Sequence, residues 1–180
     1  MKKSLLKLIV LFIGLISLQS CDENIADTLE GTWEGNMYVS SVYDGMTYNA
    51  THTRICFLKD PFRYTSGGGY WVDYYSGAPW DYVANHIDWE VRNRTIYVHF
   101  IEENYNIRIS NYRIDDDWFY GTLIDGDTPV RFELYHTSSP NWNQYKHWGW
   151  DDYNYYYSKS LNGKTPEKPR RTIRPITETN

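Results

Sequence analysis

Five histidines are the residues in this chain best suited to metal binding or acid–base chemistry, namely His52, His86, His99, His136 and His147. They are scattered along the sequence. None is paired at the spacing of a zinc site, and no His-Glu-x-x-His sequence occurs. We therefore predict structural or surface roles for these histidines, and we expect neither a metal nor a cofactor.

Acidic residues are the next candidates for chemistry. The clusters at residues 115–117 and 125–127 contain carboxylates that calcium would accept, but neither continues with further ligands, and both stand where hairpins must turn. Asp88 and Glu90 share one face of a strand and would suit acid–base work only with partners that the sequence does not locate. The short sequence signatures of hydrolases, Walker-loop proteins and dinucleotide-binding proteins are absent. The sequence therefore predicts turns at both clusters and a protein that is not an enzyme.

A run of three glycines at residues 67–69, preceded by Ser66, is followed by several aromatic residues. We interpret this run as a flexible loop, because no strand-to-helix context for phosphate binding follows it. Such a loop would make Tyr70, Trp71, Tyr74 and Trp80 the mouth of a ligand site or a surface contact. The alternative is that these rings simply cover a strand.

The elements that must position these residues are β-strands. The chain contains 18 Tyr and 8 Trp, which suit half-buried pleated surfaces. Strand-like alternation separated by short polar turns predicts strands at 31–43, 46–58, 69–76, 83–92, 94–102, 104–114, 117–125 and 128–136. We predict an all-β fold in which this antiparallel up-and-down meander of about eight strands closes into a barrel, because closure removes exposed edges. A two-sheet sandwich is the alternative.

The first twenty residues have the features of an export signal. Three lysines precede an apolar run that is shorter than the roughly 20 residues of a membrane-spanning helix. The sequence Leu-Gln-Ser-Cys at residues 18–21 resembles a bacterial lipobox. This resemblance implies cleavage before Cys21, acylation of that cysteine with chains such as palmitate, and attachment to the bacterial outer membrane, at its periplasmic face or the cell surface. An ordinary secretory signal with an incidental cysteine is the alternative.

Cleavage would also change the charge and the thiol content. Residues 1–20 carry three lysines and no acid, so the net charge changes from −5 to −8, which argues against a nucleic-acid partner. With Cys21 acylated, Cys56 is the only thiol left, and no intramolecular disulfide can form. Residues 21–30 are predicted to be an acidic tether without periodicity.

Two segments follow the predicted barrel at residues 31–136. Ser139 and Pro140 would suit the start of a helix, so we predict an aromatic helix or irregular arm over residues 137–160 that packs on the barrel. Residues 161–180 are rich in proline and basic side chains and are predicted to be a disordered tail.

The start of the meander carries a family resemblance. Gly31 and Trp33 form a Gly-x-Trp sequence that resembles the first-strand motif of lipocalins and other calycins, and of small lipocalin-like lipoproteins of the Bacteroidetes. The resemblance implies that Trp33 closes one end of the barrel and that a late arginine packs across it. Arg131 is the candidate, although its alternation with Val130 and Phe132 would place it outside if those two residues face the core.

Two functions are consistent with these features. The resemblance implies a lipid-anchored barrel that binds a small apolar or amphipathic ligand in its interior, although about eight strands leave only enough room for side chains or one small ligand. The alternative is a non-catalytic envelope protein that contacts glycan or another envelope protein through exposed aromatic rings. The sequence does not identify a ligand or a protein partner.

Overall fold

The computed structural model of the protein describes residues 21–126, 128–145 and 169–174. Within these residues a helix occupies residues 21–29, a 3-10 helix spans Trp142–Tyr145, and ten strands form an antiparallel sheet. The strands are β1 (Gly31–Asn36), β2 (Val39–Tyr43), β3 (Met46–Asp60), β4 (Arg63–Tyr75), β5 (Tyr82–Arg92), β6 (Thr95–Phe100), β7 (Tyr105–Ile114), β8 (Trp118–Asp125), β9 (Thr128–Thr137) and β10 (Arg170–Ile173). None of the helices in these ranges is long and apolar enough to cross a bilayer.

Strand β1 closes the sheet because it pairs on both sides. Gly35 lies opposite Thr53 of β3 on one side and opposite Leu134 of β9 on the other. Strands β3 to β9 follow one another as antiparallel neighbours, so this double pairing makes a closed eight-strand up-and-down barrel. The predicted fold is confirmed, and the two-sheet alternative is wrong.

Strand β10 completes the wall at one end of the barrel. The first predicted run breaks after β1, where Tyr38 has a φ of 53°, and continues as β2. Strand β2 pairs with β3 and with β10, in which Arg171 lies opposite Ser41. The second neighbour of β1 is β9, whereas the second neighbour of β2 is β10. Residues 170–173 were predicted to be disordered, and that prediction is wrong because they pair with the edge of β2; residues 161–168 and 175–180 lie outside the described residues.

The interior of the described barrel is filled with side chains. Inward and outward residues alternate along most of the wall, with register shifts in β3 and β7, and the largest inward side chains are less than 2% exposed, including Trp33, Phe57, Trp71, Phe100 and Phe119. The rings meet edge to face, with centroids 5.7 Å apart for Trp33 and Phe119 and 5.1 Å apart for Trp71 and Phe100. Aliphatic side chains from β5 to β9 occupy the space between them.

The glycine run lies inside β4, so its prediction as a loop is wrong. A Cβ atom on Gly67 would stand 1.9 Å from the carbonyl oxygen of Leu58, and one on Gly69 would stand 1.9 Å from that of Cys56. Strand β4 therefore approaches β3 too closely for any side chain at these two positions, as happens where a barrel wall bends sharply. Gly68 faces the opposite way, outside the barrel.

The segment predicted as a tether is helical and packs against the barrel. Ala26 and Leu29 have no exposed surface, and the indole nitrogen of Trp33 donates to the carbonyl oxygen of Leu29 at 2.9 Å. The reason is the spacing of Ile25, Ala26 and Leu29, which share one face of a helix. We call the end of the barrel covered by this helix the helix end. There β1 begins and the β3–β4, β5–β6 and β7–β8 hairpins turn.

Candidate functional site

The predicted barrel-end motif comes together only in part. Gly31 has a φ of 141°, which favours glycine, and a Cβ there would stand 2.5 Å from His136 Nε2. Trp33 is 1% exposed and lies edge-on to the His136 ring, with centroids 4.9 Å apart. Arg131 is exposed on the outer wall between the inward Val130 and Phe132, as their alternation indicated. The side chain that β9 contributes against Trp33 is therefore His136 and not Arg131.

The four residues predicted to form a ligand mouth divide between two faces. Trp71 is fully buried in the interior, and Trp80 is 3% exposed. Tyr70 and Tyr74 alternate with Trp71 along β4 and are half-buried on the outer wall. They therefore do not form a common mouth, because β4 presents Tyr70 and Tyr74 to the side opposite Trp71, and Trp80 is buried in the connection between β4 and β5.

The outer pair instead receives the 3-10 helix. Tyr70 stacks on Trp142 with centroids 4.8 Å apart and planes 6° apart. The hydroxyl groups of Tyr74 and Tyr145 hydrogen-bond, and burial raises the pKa of Tyr74. Tyr145 also packs with Val72 and Ala84 in a small outer cluster. Residues 142–145 thus lie against the outer wall of β4 and β5, whereas residues 146–160 of the predicted arm lie outside the described residues.

A buried ion cluster, which the sequence analysis missed, lies at the end opposite the helix end. Arg171 of β10 points into the barrel and pairs with Asp73, and its Nη2 lies 3.1 Å from Glu103 Oε1. Its guanidinium lies 4.3 Å from the centroid of Phe100. Asp73 has no exposed surface and also accepts hydrogen bonds from Thr53 Oγ1 at 2.6 Å and from the Trp71 indole at 3.0 Å.

This cluster acts as a tie between strands. Burial alone would lower the pKa of Arg171, but the carboxylates of Asp73 and Glu103 outweigh it and raise that pKa, so the guanidinium stays charged. The side-chain amide of Asn85 donates to Glu103 at 2.7 Å and extends the network to β5. Each charged group has a partner, which indicates a structural link that fixes β10 in the wall.

A groove of about 1190 Å³ lies on the outer wall of β3 to β8. Its floor includes Gly68, which leaves the wall open because a Cβ there would have only one neighbour, the Ile87 carbonyl oxygen at 3.6 Å. Cross-strand pairing aligns Gly68 with Asp88, Asp88 with His99, and His99 with Asn106. We call this concavity the outer groove.

A second row of side chains runs parallel to the first. Glu90, Tyr97 and Arg108 are cross-strand neighbours on β5, β6 and β7. The charges that line the outer groove balance, with three acidic side chains (Asp60, Asp88 and Glu90) and three basic ones (Lys59, Arg63 and Arg108). The groove therefore combines hydrogen-bonding groups and a tyrosine ring without a large excess of charge.

The histidines within the described residues make local contacts. His52 stacks on Tyr74 with centroids 4.3 Å apart, His86 Nδ1 lies 2.5 Å from Glu102 Oε1, and His99 Nδ1 lies 3.0 Å from Asn106 Oδ1. Across residues 21–126, 128–145 and 169–174, no three His, Cys, Asp or Glu side chains are grouped as metal ligands. His147 lies outside these ranges.

The acidic cluster at residues 115–117 forms a hairpin turn. The Asp115 carboxylate accepts hydrogen bonds from the backbone N–H groups of Asp117 at 3.2 Å and Trp118 at 2.9 Å. The Asp115 carboxylate thus stabilises the turn by accepting hydrogen bonds from the turn's own backbone. In the second cluster, Gly126 has a φ of 55°, and Asp127 lies outside the described residues.

Comparison with known proteins adds little to this geometry. No family model matches the chain, and no curated protein matches it. Among solved structures it is similar to a redesigned beta barrel, at 11% identity over 63% of this chain and 95% of that one, with a TM-score of 0.38. At that level the likeness carries no argument, so the fold rests on the strand pairing of the chain itself: a closed antiparallel eight-strand barrel.

Proposed function

We propose that this chain is an exported, lipid-anchored and non-catalytic cell-envelope protein whose barrel binds a neutral glycan in the outer groove. The observation that carries the binding part is the contrast between the two sides of the wall. The largest inward rings, such as Trp71 and Phe100, are less than 2% exposed, whereas the outer wall offers an open concavity lined by polar groups.

A small apolar ligand in the barrel interior is the competing function. It would have to displace side chains such as Trp71 and Phe100, whose rings already pack edge to face. Because protein interiors are generally packed without voids of ligand size, a ligand in the interior would have to disrupt this packing in order to bind. The outer groove needs no such displacement.

The chemistry of the groove favours a neutral polyhydroxylated ligand. Asp88 and Glu90 are exposed carboxylates that can accept hydrogen bonds from sugar hydroxyl groups, and Asn106 and Arg108 supply donors. The guanidinium of Arg92 lies 4.7 Å from the centroid of the Tyr97 ring and covers one face, so the apolar face of a sugar can lie only on the other face. Because acidic and basic side chains are equal in number, a strongly charged ligand gains no net attraction.

Filling the groove tests this proposal. A side chain at Gly68 projects into the groove with ordinary contacts, so Gly68→Tyr should fold and block binding. Gly77→Tyr is the matched control, since it adds the same side chain at an exposed loop position with nothing within 4 Å. On an array of neutral oligosaccharides, we expect saturable binding by the parent protein and Gly77→Tyr, and loss in Gly68→Tyr. Absence of binding across the array, or equal binding by both variants, contradicts the proposal.

Sequence features support the anchor: basic residues before a short apolar run and the lipobox-like residues 18–21. Metabolic labelling with a clickable palmitate analogue tests it. Label should enter the parent protein and the control Cys56→Ala, and Cys21→Ala should remain unlabelled and be released from membranes. An unlabelled parent protein would overturn the proposed lipid anchor. The proposed glycan binding in the outer groove would be unaffected, because the oligosaccharide array tests it independently.

A further inference from the structure

The tip of the β3–β4 hairpin exposes two aromatic rings at the helix end. Phe62 is 88% exposed and Tyr64 is 62% exposed, although aromatic side chains usually lose most of their surface on folding. The tip is ordered locally, because the backbone N–H of Phe62 donates to Asp60 Oδ1 at 2.8 Å and Pro61 precedes it in the turn. The rings are therefore held out from the barrel by a defined turn.

The same end carries the proposed lipid anchor. Cys21 begins the helix that covers the helix end, and the next residue, Asp22, accepts hydrogen bonds from the backbone N–H groups of Asn93 and Arg94, both at 2.9 Å. Further along the helix, Asp27 forms an ion pair with Lys59, next to the hairpin tip. These contacts fix residue 21 on the side of the barrel from which Phe62 projects.

We infer that the β3–β4 tip inserts Phe62 and Tyr64 into the interfacial layer of the bilayer to which the acyl chains on Cys21 hold the protein. This inference rests on the proposed lipid anchor. An acyl chain alone leaves a barrel free to rotate above the membrane, whereas a second apolar contact fixes its orientation. Aromatic rings are the side chains that favour this interfacial layer.

The charges at this end define how the barrel tilts. Arg63 stands between the two rings with its side chain 79% exposed and can extend to lipid headgroups, whereas Lys59 is held by its ion pair with Asp27. The exposed residues 115–117 carry three carboxylates on the β7–β8 turn of the same end. Because carboxylates are costly to bring into lipid, that turn stays in water and only the β3–β4 tip enters. Docking is therefore driven by apolar contact and should survive added salt.

A fluorophore at the tip tests the inference on the acylated protein. An environment-sensitive dye attached to Arg63→Cys reports the position of the tip, and the native Cys56 is only 1% exposed and does not compete for the label. Gly77→Cys carries the control label on the loop between β4 and β5, at the opposite end of the barrel. The protein is reconstituted in phosphatidylcholine vesicles with and without brominated acyl chains.

We expect the dye at position 63 to shift to shorter wavelength and to be quenched by brominated lipid, and the dye at position 77 to show neither effect. Adding Phe62→Ser should abolish most of the quenching. Trp118→Ser, which removes another exposed ring at the helix end beside the acidic turn, should leave the quenching unchanged.

Three outcomes separate the two proposals. If the protein floats with vesicles and the dye at position 63 is not quenched, membrane docking of the tip is overturned and the anchor stands. If quenching persists in Phe62→Ser, the apolar contact is assigned to the wrong residue and the inference fails. If mass spectrometry finds Cys21 unmodified, the anchor and the docking that rests on it fall together.

Discussion

The three consecutive glycines of β4 should respond in opposite ways to the same small substitution. Gly67→Ala and Gly69→Ala each add a Cβ 1.9 Å from a carbonyl oxygen of β3, a distance that real Cβ atoms do not adopt. To relieve it, β3 and β4 must separate by about 1 Å, which strains their packing and pairing. In Gly68→Ala the new Cβ lies 3.6 Å from its only close neighbour, the Ile87 carbonyl oxygen, which is an ordinary contact.

The expected energies follow from these distances. Overpacking of this kind costs about 1–3 kcal/mol, and we expect Gly67→Ala and Gly69→Ala to lie at the upper end because the obstacle is backbone. Gly68→Ala should be neutral or stabilise the fold by up to about 1 kcal/mol, because alanine restricts the unfolded chain.

Urea unfolding followed by tryptophan fluorescence measures the difference. With a slope of about 2 kcal/mol per molar urea, a loss of about 3 kcal/mol lowers the midpoint by about 1.5 M. The far-ultraviolet circular dichroism of folded Gly68→Ala serves as the control for retained strand content. Equal midpoints for all three alanine variants would refute the close approach of β4 to β3.

Three further predictions concern the buried polar groups. Arg171→Met should destabilise the fold by about 3 kcal/mol, because it leaves the fully buried Asp73 carboxylate without its cation, and a loss below about 1 kcal/mol in urea unfolding would contradict this. Tyr112→Phe should leave the stability unchanged or raise it, because no described residue hydrogen-bonds the buried Tyr112 hydroxyl. Tyr75→Phe should lower the stability by about 1 kcal/mol, because it removes the 2.7 Å hydrogen bond to Ser41. Equal urea midpoints for the two variants would argue against these assignments. Burial raises the pKa of Tyr112 to about 12 and raises the pKa of Tyr75 as well. The unfolded chain therefore loses these phenolic protons at lower pH than the folded chain, and stability should fall as the pH rises from about 10 towards 12. A thermal midpoint that stays constant over that pH range would contradict this prediction.

Most of the barrel could be predicted from local alternation. The inward residues Ile96 and Val98 and the hairpin turn at Asp115 follow directly from side-chain period and turn chemistry, and closure follows from the cost of free edges. The helix at residues 21–29 could also have been predicted from the sequence, because Ile25 and Leu29 are four residues apart and share one face of a helix. Its acidic composition obscured that spacing.

Contacts between distant segments were not predictable. Strand β10 has only four residues in a segment rich in proline and basic side chains, and its stability comes from pairing with β2 and from the contacts of Arg171, which no local pattern contains. The glycine run was interpreted as a loop because glycine favours both loops and tight bends, and only the approach of β3 distinguishes the two.

The outer groove shows the same limit. Asp88 and Glu90 were recognised as sharing a strand face, but their neighbours Tyr97 and Arg108 depend on the register of β5, β6 and β7. Register is set by the whole sheet, since a shift of one residue would turn every side chain to the other face. The partners of the two carboxylates could therefore be named only from the folded chain.

The chain forms a closed and filled barrel in which β1 lies between β3 and β9. Cross-strand backbone nuclear Overhauser effects on isotope-labelled protein test it most directly. We expect contacts from Gly35 to both Thr53 and Leu134, together with contacts from Arg171 to Ser41. Contacts from Gly35 to only one of its two partners would show an open sheet and would rule out the closed barrel.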